Sequence, residues 1–522
     1  MIGNSRLQVL GSTLVSRLGR NPRRWALITA VLLIVLAGAG GAIGFSGIFN
    51  MQPFLDPTGV VATFNTAGNI DTSNTFFQSL GTNGRTCASC HQPSDAFGLS
   101  AAHVQARFAS SHGTDPLFAP VDGANCPTAA TVDAASRSLL LNHGLIRIGL
   151  ALPTPREFGI VLVQDPYGCA MVPDPSTGQM IVSVYRRPLP TTNLNFLSTV
   201  MFDGRETISP LNSAATFSAN LLADLTHQAM DATNGHAQAN PPVSLTDSRL
   251  PQMVSLELGF STAQIFDNSA GYLGARGALG GPFNLSQQQY HPKINDVLGA
   301  DPAGPFNPNV FTIFSPWQDL KGNDSFDEAR RAVAAGEVIF NTRPLTITNV
   351  RGINDNPTVA GLVGTPLPVT SFTGTCTTCH DTPNVGDHSV ALPLDIGNSH
   401  SLAQETDPAI ASGLALLSFP DVPVYQITGC PDPFASTSTA GPPNPPTSFY
   451  TTDPGKALIT GLCSDFNRGK GPILRGLAAR APYFHNGAAK DLTEIVNFYN
   501  QRFAMRLTDQ EKSQLIAFLN SL

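Results

Sequence analysis

Thr86-Cys87-Ala88-Ser89-Cys90-His91 returns later in the chain as Thr375-Cys376-Thr377-Thr378-Cys379-His380. Each copy reads Cys-x-x-Cys-His, the attachment pattern of a c-type haem. The spacing has a physical reason. Two thiols so placed reach the two vinyl groups of one porphyrin, and the His that follows is held under the iron as its proximal ligand. Cys87, Cys90 and His91 are therefore candidates to attach and ligate one haem, and Cys376, Cys379 and His380 a second. Paired cysteines serve two other chemistries. Two pairs can build one four-cysteine zinc site, and a single pair can act as a thiol redox couple. Neither requires a His directly after both pairs, and a redox couple gives no reason for a repeat.

Working outward, the chain of 522 residues is long enough for two or three domains. Charged residues are 13%, while Gly (47) and Pro (42) are abundant, which points to a loop-rich protein rather than a helical bundle. Net charge is −7, although five Arg and no acid stand in the first 24 residues, so the body is more acidic than the total. An acidic body argues against nucleic acid and favours a redox partner with a basic face. Eight Cys are present and the two motifs take four. Of the rest, Cys126 and Cys169 fall beside the first motif region, Cys430 and Cys463 beside the second. Disulfides Cys126–Cys169 and Cys430–Cys463 are expected, which requires an oxidising compartment; the alternative is four buried thiols.

The N-terminus carries the compartment signal. Arg17, Arg20, Arg23 and Arg24 precede an apolar run, Trp25 to Phe45, and no charge returns until Asp56. About 20 apolar residues span a bilayer, and flanking Arg stays on the cytoplasmic side. Residues 1–24 read as a cytoplasmic basic segment and 25–45 as a transmembrane anchor or signal. The body is then expected on the periplasmic side of the inner membrane, anchored there, or free in the periplasm if the segment is cleaved. Ala101–Ser111 reads as an amphipathic helix with Val104 and Phe108 on one side. His103 and His112 are near enough to the first motif to be weighed as iron ligands. Strand-like runs occur at Gly159–Gln164 and Met180–Tyr185, and a helix is expected over Ala219–Ala232. Residues 240–324 show no motif. Ser325-Phe326-Asp327-Glu328 has the capping-box pattern and opens a helix to Phe340. About 35 residues then separate it from Cys376, long for a compact domain. Two helices close the chain, from Asp491 and from Thr508. In the first, Leu492, Ile495 and Tyr499 share a face.

Taken together, these residues resemble the di-haem bacterial cytochrome c peroxidase family, including its MauG branch. The matching pieces are the two Cys-x-x-Cys-His motifs, Phe202-Asp203-Gly204-Arg205, Gln228-Ala229, Leu474-Arg475, Pro482-Tyr483-Phe484-His485-Asn486-Gly487 and the closing helices. The resemblance implies a mainly α fold with long irregular loops and two cytochrome c-like haem domains, here 51–324 and 325–522, preceded by the transmembrane helix. It implies two covalently bound haem c groups. His91 would be the proximal ligand of the reactive haem and His380 that of the electron-transfer haem. Tyr499 resembles the position of the second haem's other axial ligand, with Met505 as runner-up. Gln228 and His236 are the candidate catalytic residues of the first haem.

Three departures from that pattern matter. Phe202 stands where the family has a Trp relay between the haems. Gln238 stands where a proton-moving Glu is expected, with His236 two residues earlier as a general base. Arg186 stands near the position of an Asn of the family's inter-haem calcium site, so the resemblance leaves calcium open rather than implying it. The implied function is a di-haem oxidoreductase using hydrogen peroxide. It would be fed by a small cytochrome or cupredoxin, or would act on a protein or small-molecule substrate. The alternatives are a dioxygen-using enzyme resembling the rubber oxygenases and a di-haem electron carrier without catalysis.

Overall fold

The structure is a computed structural model, and it describes residues 47–522 except 198, 208–213, 289–310, 349, 351, 357–358, 361–364, 381–392, 406–407 and 431–447. Ile48–Leu522 form one compact unit. Its make-up corrects the expectation of a mainly α fold led by a transmembrane helix. Among the described residues helix accounts for 34% and strand for 18%, with five small sheets. No helix among them is long and apolar enough to cross a membrane. The stretch 25–45 and the basic segment 1–24 lie outside the described residues.

The strands that position the cavities are, in chain order, β1 (Phe54–Asp56), β2 (Gly59–Asn65), β3 (Ile146–Ala151), β4 (Gly159–Gln164), β5 (Met171–Pro173) and β6 (Met180–Arg186). They continue with β7 (Phe260–Asp267), β8 (Gly271–Tyr272), β9 (Leu345–Thr348), β10 (Ser371–Gly374), β11 (Val424–Thr428) and β12 (Phe449–Thr451). One sheet runs β8-β7-β2-β1, a second β3-β6-β5, and a third β12-β11-β4. The third joins β4 and β11 from opposite ends of the chain, antiparallel, with Ile427 opposite Ile160. These strands escaped the helical reading for a physical reason. β2 and most of β7 are buried on both faces, so they lack the apolar–polar alternation of a half-exposed strand. Their partner also lies far off: Thr63 and Thr262, 199 positions apart, share a hydroxyl hydrogen bond of 2.8 Å.

The principal helices are α1 (Ala101–Ser111), α2 (Ala214–Gly235), α3 (Arg249–Leu258), α4 (Ser325–Thr342), α5 (Leu492–Arg502) and α6 (Asp509–Asn520). α1 has the expected bounds, capped by the Ser100 hydroxyl, which accepts from the His103 amide at 3.2 Å. α3, in the stretch that showed no motif, is new. α4 is capped one residue earlier than expected, because Asp324 rather than Ser325 accepts from the Asp327 amide. Thr508 and Glu511 form the expected capping box on α6. α4 and α6 pack closely at Gly336, where a Cβ would stand 2.0 Å from the Gln514 carbonyl oxygen. The long connection before Cys376 is closed by the β9–β10 hairpin, with Leu345 opposite Gly374. It therefore returns the chain to the end of α4 just before the second motif.

Two large apolar cores result. Phe76, Phe97, Leu225, Met253, Val254 and Phe260 form one, with Cys87 against it. Phe314, Trp317, Val333, Phe340, Leu515 and Phe518 belong to the other, with Cys376 and Cys379 against it. Both expected disulfides are present: Cys126–Cys169 with Cα atoms 6.0 Å apart and Cys430–Cys463 at 5.5 Å.

Candidate haem sites

The two Cys-x-x-Cys-His stretches fold into the same turn. Cys87–Ser89 and Cys376–Thr378 are single 3-10 turns. The Thr86 amide donates to Ser89 Oγ at 3.0 Å, and the Thr375 amide to Thr378 Oγ1 at 2.9 Å. The amides of His91 and His380 donate to the carbonyls of Cys87 and Cys376, both at 3.0 Å. Each motif lines its own cavity. The first, of about 150 Å3, has Cys87, Cys90 and His91 in its wall. The second, of about 260 Å3, has Cys376, Cys379 and His380. The four-cysteine zinc alternative therefore falls. The pairs do not converge, and among the described residues no cluster of three metal-ligating side chains contains a cysteine.

The electrostatics suit covalent attachment and neutral nitrogen ligands. Burial pushes the Cys90 thiol up to about 11 and Cys376 up to about 12, and drives Cys87 upward further still. These are not the depressed thiols of a redox couple. Burial pulls both His91 and His380 down to about 4, so each imidazole is neutral near pH 7. His91 Nδ1 donates to the Phe97 carbonyl at 3.2 Å, which leaves Nε2 with its lone pair. Phe97 is fixed in turn by stacking on Phe260 of β7, ring centres 4.3 Å apart.

α2 supplies one face of the first cavity. Leu225, Gln228, Ala229, Ala232, Thr233 and His236 all line it, as helical spacing dictates. Both candidate catalytic residues are thus on the cavity wall, and Gln238 is not: it is exposed beyond the helix end, its carbonyl accepting from Thr82. His236 Nδ1 meets Asp122 Oδ2 at 2.5 Å, and the other oxygen of Asp122 meets buried Arg85, the residue before Thr86. Burial raises the Asp122 carboxyl, but His236 and Arg85 hold it below its ordinary value. His103 pairs with Asp95, and His112 caps the C-terminal end of α1; neither lines the cavity. Glu257 of α3 does line it, and burial pushes its carboxyl up to about 8. Sequence reading missed Asp122, Arg85 and Glu257. Only a single acid in an otherwise apolar helical face, Leu250, Met253, Val254, Glu257, could have signalled the last.

In the second cavity Tyr499 and Met505 both line the wall with His380. Burial pushes the Tyr499 phenol upward, with a smaller push from the Cys379 and Cys376 thiols nearby. It therefore stays neutral until a cation faces it. Phe340 of α4 packs 5.9 Å from the His380 ring.

Between the cavities lies a shared wall. Arg187, Pro188, Leu189, Pro190, Phe202, Lys470 and His485 line both. The Phe202 ring stacks on His485, centres 4.4 Å apart and 17° from parallel. Arg187 donates to the carbonyls of Leu99, Arg480 and Pro482 and has no carboxylate partner among the described residues. Burial, together with Arg480, lowers it to about 9. Apolar walls, paired thiols, a neutral imidazole and a half-buried cation suited to carboxylate groups are a donor set that fits haem c. The buried acids beside Arg186 do not fit calcium. Asp203 and Asp453 are both taken up by the Arg186 guanidinium.

No family model matches the chain. Two curated relatives match in part. A cytochrome-c peroxidase, IdrP2 of Denitromonas iodatirespirans, is 37% identical over 16% of this chain and 24% of its own length. A cytochrome-c peroxidase, IdrP1 of Pseudomonas sp. (strain SCT), is 30% identical over 20% of this chain and 29% of its own. The chain thus matches about a quarter of each relative's length. These matches support a likeness to cytochrome-c peroxidases and say nothing of the MauG branch.

Proposed function

We propose that the protein is a di-haem c-type oxidoreductase that reduces hydrogen peroxide at the first cavity and takes in electrons through the second. The observation that carries this reading is the repeated turn, which sets two thiols and a neutral His at the edge of each of two apolar cavities. The cytochrome-c peroxidase relatives support the same reading. Haem c bound in these cavities would supply one-electron redox chemistry and an iron site for the oxidant.

The chain's own residues supply the rest. His91 and His380 offer neutral nitrogens, His91 held in one tautomer by Phe97. In the first cavity the Gln228 amide donates to the bound oxidant. His236, two helical turns on and partly exposed, moves protons between solvent and the cavity. Asp122 orients the His236 ring through Nδ1. Reduction of one peroxide to two waters takes two protons by this route and two electrons from a small cytochrome or cupredoxin. Tyr499 and His380, which line the same cavity, would together hold the second haem, and oxidation of a protein substrate, as in the MauG branch, rests on Tyr499 alone. The two disulfides support an oxidising, periplasm-like compartment.

Dioxygen use is the second reading, favoured by Phe202 in place of a readily oxidised Trp and by the position of Gln238 outside the cavity. Ferric EPR combined with rapid mixing decides between them. A high-spin signal and fast spectral change with peroxide, with donor oxidation at two electrons per peroxide, is expected. Two low-spin signals would make the protein an electron carrier, with His236 as the cavity residue that would hold the first haem together with His91. Oxygen uptake without peroxide turnover would favour the second reading.

A further inference from the structure

The wall between the cavities contains an ion arrangement that the reaction above does not use. Arg186 ends β6 and is 2% exposed. Its Nε and Nη2 donate to the two carboxylate oxygens of Asp453 at 2.6 and 2.8 Å, and Nη1 donates to Asp203 Oδ2 at 2.5 Å. Asp203 also accepts from Arg205 Nη1, at 2.9 and 3.0 Å. The Arg186 guanidinium carbon lies 4.8 Å from the centre of the Phe202 ring, which stacks on His485. His485 Nε2 stands 3.7 Å from Asp453 Oδ2. Four separate segments meet here: the end of β6, the turn at 202–205, the loop after β12, and the turn at 482–487.

Two carboxylates buried together are costly unless each is paired and hydrogen-bonded. Arg186 and Arg205 offset them, so the group is neutral as it stands, and the planar fork of Arg186 fits both acids at once. A divalent ion there would add surplus charge, and would need six or more oxygens where the two acids already face N–H groups.

We propose that Arg186 is the built-in cation of this wall: its guanidinium stands where a divalent ion would otherwise have to offset Asp203 and Asp453, so the protein joins its two cavities without calcium, and shortening Arg186 opens a latent calcium site. The inference does not rest on the peroxide reading.

The test uses the haem-loaded protein. In the wild type, chelation with EGTA and addition of calcium chloride both leave the thermal unfolding midpoint unchanged, and calorimetric titration shows no calcium binding that Asp453→Asn abolishes. Arg186→Asn lowers the midpoint by several degrees, and calcium restores most of the loss where magnesium does not. Arg186→Lys recovers part of it with no calcium. A calcium-dependent wild type, or a folded Arg186→Asn that calcium leaves unchanged, overturns the proposal. If Arg186→Asn does not fold even with calcium, the latent site is refuted and the wild-type chelation alone decides the built-in cation.

Discussion

Replacing Glu257 with Gln tests how the first cavity holds a proton. Glu257 is 5% exposed, lines the cavity, and its Oε2 has no hydrogen-bond partner among the described residues. Burial raises its carboxyl from 4.5 to about 8. In the folded protein the group keeps its proton up to about pH 8, whereas in the unfolded chain it ionises above 4.5. The folded state binds more protons between those limits, so its contribution to stability is full below the lower one and is lost as pH rises through the upper. At about 1.4 kcal/mol per pH unit, the gap is worth up to roughly 5 kcal/mol. Unfolding entropy for a unit of this size is about 1 kcal/mol/K, so the loss corresponds to ~5 °C in midpoint. Gln keeps the shape of Glu and cannot ionise. Thermal unfolding of the haem-loaded wild type and Glu257→Gln is followed by circular dichroism at about pH 5 and about pH 8. The variant should gain on the wild type by up to ~5 °C at the higher pH. Parallel pH dependences of the two proteins would refute the reasoning, because they would mean that Glu257 is ionised in the folded state.

Gly469→Ala should cost about 1–3 kcal/mol in a denaturant melt. Its Cβ would stand 2.1 Å from two carbons of the Phe202 ring, which Arg186 and His485 hold in place. Adding Phe202→Ala should recover most of that loss; if it does not, the clash lies elsewhere. Gln228→Ala and His236→Ala should each lower peroxide turnover by roughly 10²-fold. Gln238→Ala, outside the cavity, should leave turnover unchanged, and equal losses at all three positions would argue against the α2 face. Tyr499→Phe should change the ferric EPR signal of one haem and leave the other. Should Met505→Leu do so instead, Met505 is the ligand.

Local chemistry was readable in the chain, and distant pairing was not. The two Cys-x-x-Cys-His turns, the caps at Asp491 and Thr508, and both disulfides depend on residues close in sequence or few in kind. The face of α2 followed from helical spacing once Gln228 was noticed. The sheets did not follow, since β2 finds β7 across some two hundred positions and β4 finds β11 across still more. The partners of the candidate residues were hidden for the same reason. Asp122 lies 114 positions from His236, and Asp453 lies 267 from Arg186. Asp122, Glu257 and Asp453 are single acids in unremarkable stretches, and only the fold gives them a cavity or a cation to face.

The shared wall bears most directly on how two haems would cooperate. A Trp in place of Phe202 could give up an electron and pass the vacancy between cavities. Phe202 is unsuited to that on two counts. A phenyl ring is harder to oxidise than an indole. The Arg186 guanidinium also sits 4.8 Å from the ring centre, where it is attracted to the intact ring and would repel the radical cation left by oxidation. Asp203 and Asp453 offset part of that charge, so the resistance of the phenyl ring itself to oxidation is the larger of the two effects. Both effects act in one direction: with haem in each cavity, they would keep an oxidising equivalent where it forms. Electrons would then cross the wall one at a time, past an intact Phe202–His485 stack. Arg186 therefore has two consequences from one position, since the cation proposed to stand in for a divalent ion would also help to keep the ring between the cavities reduced.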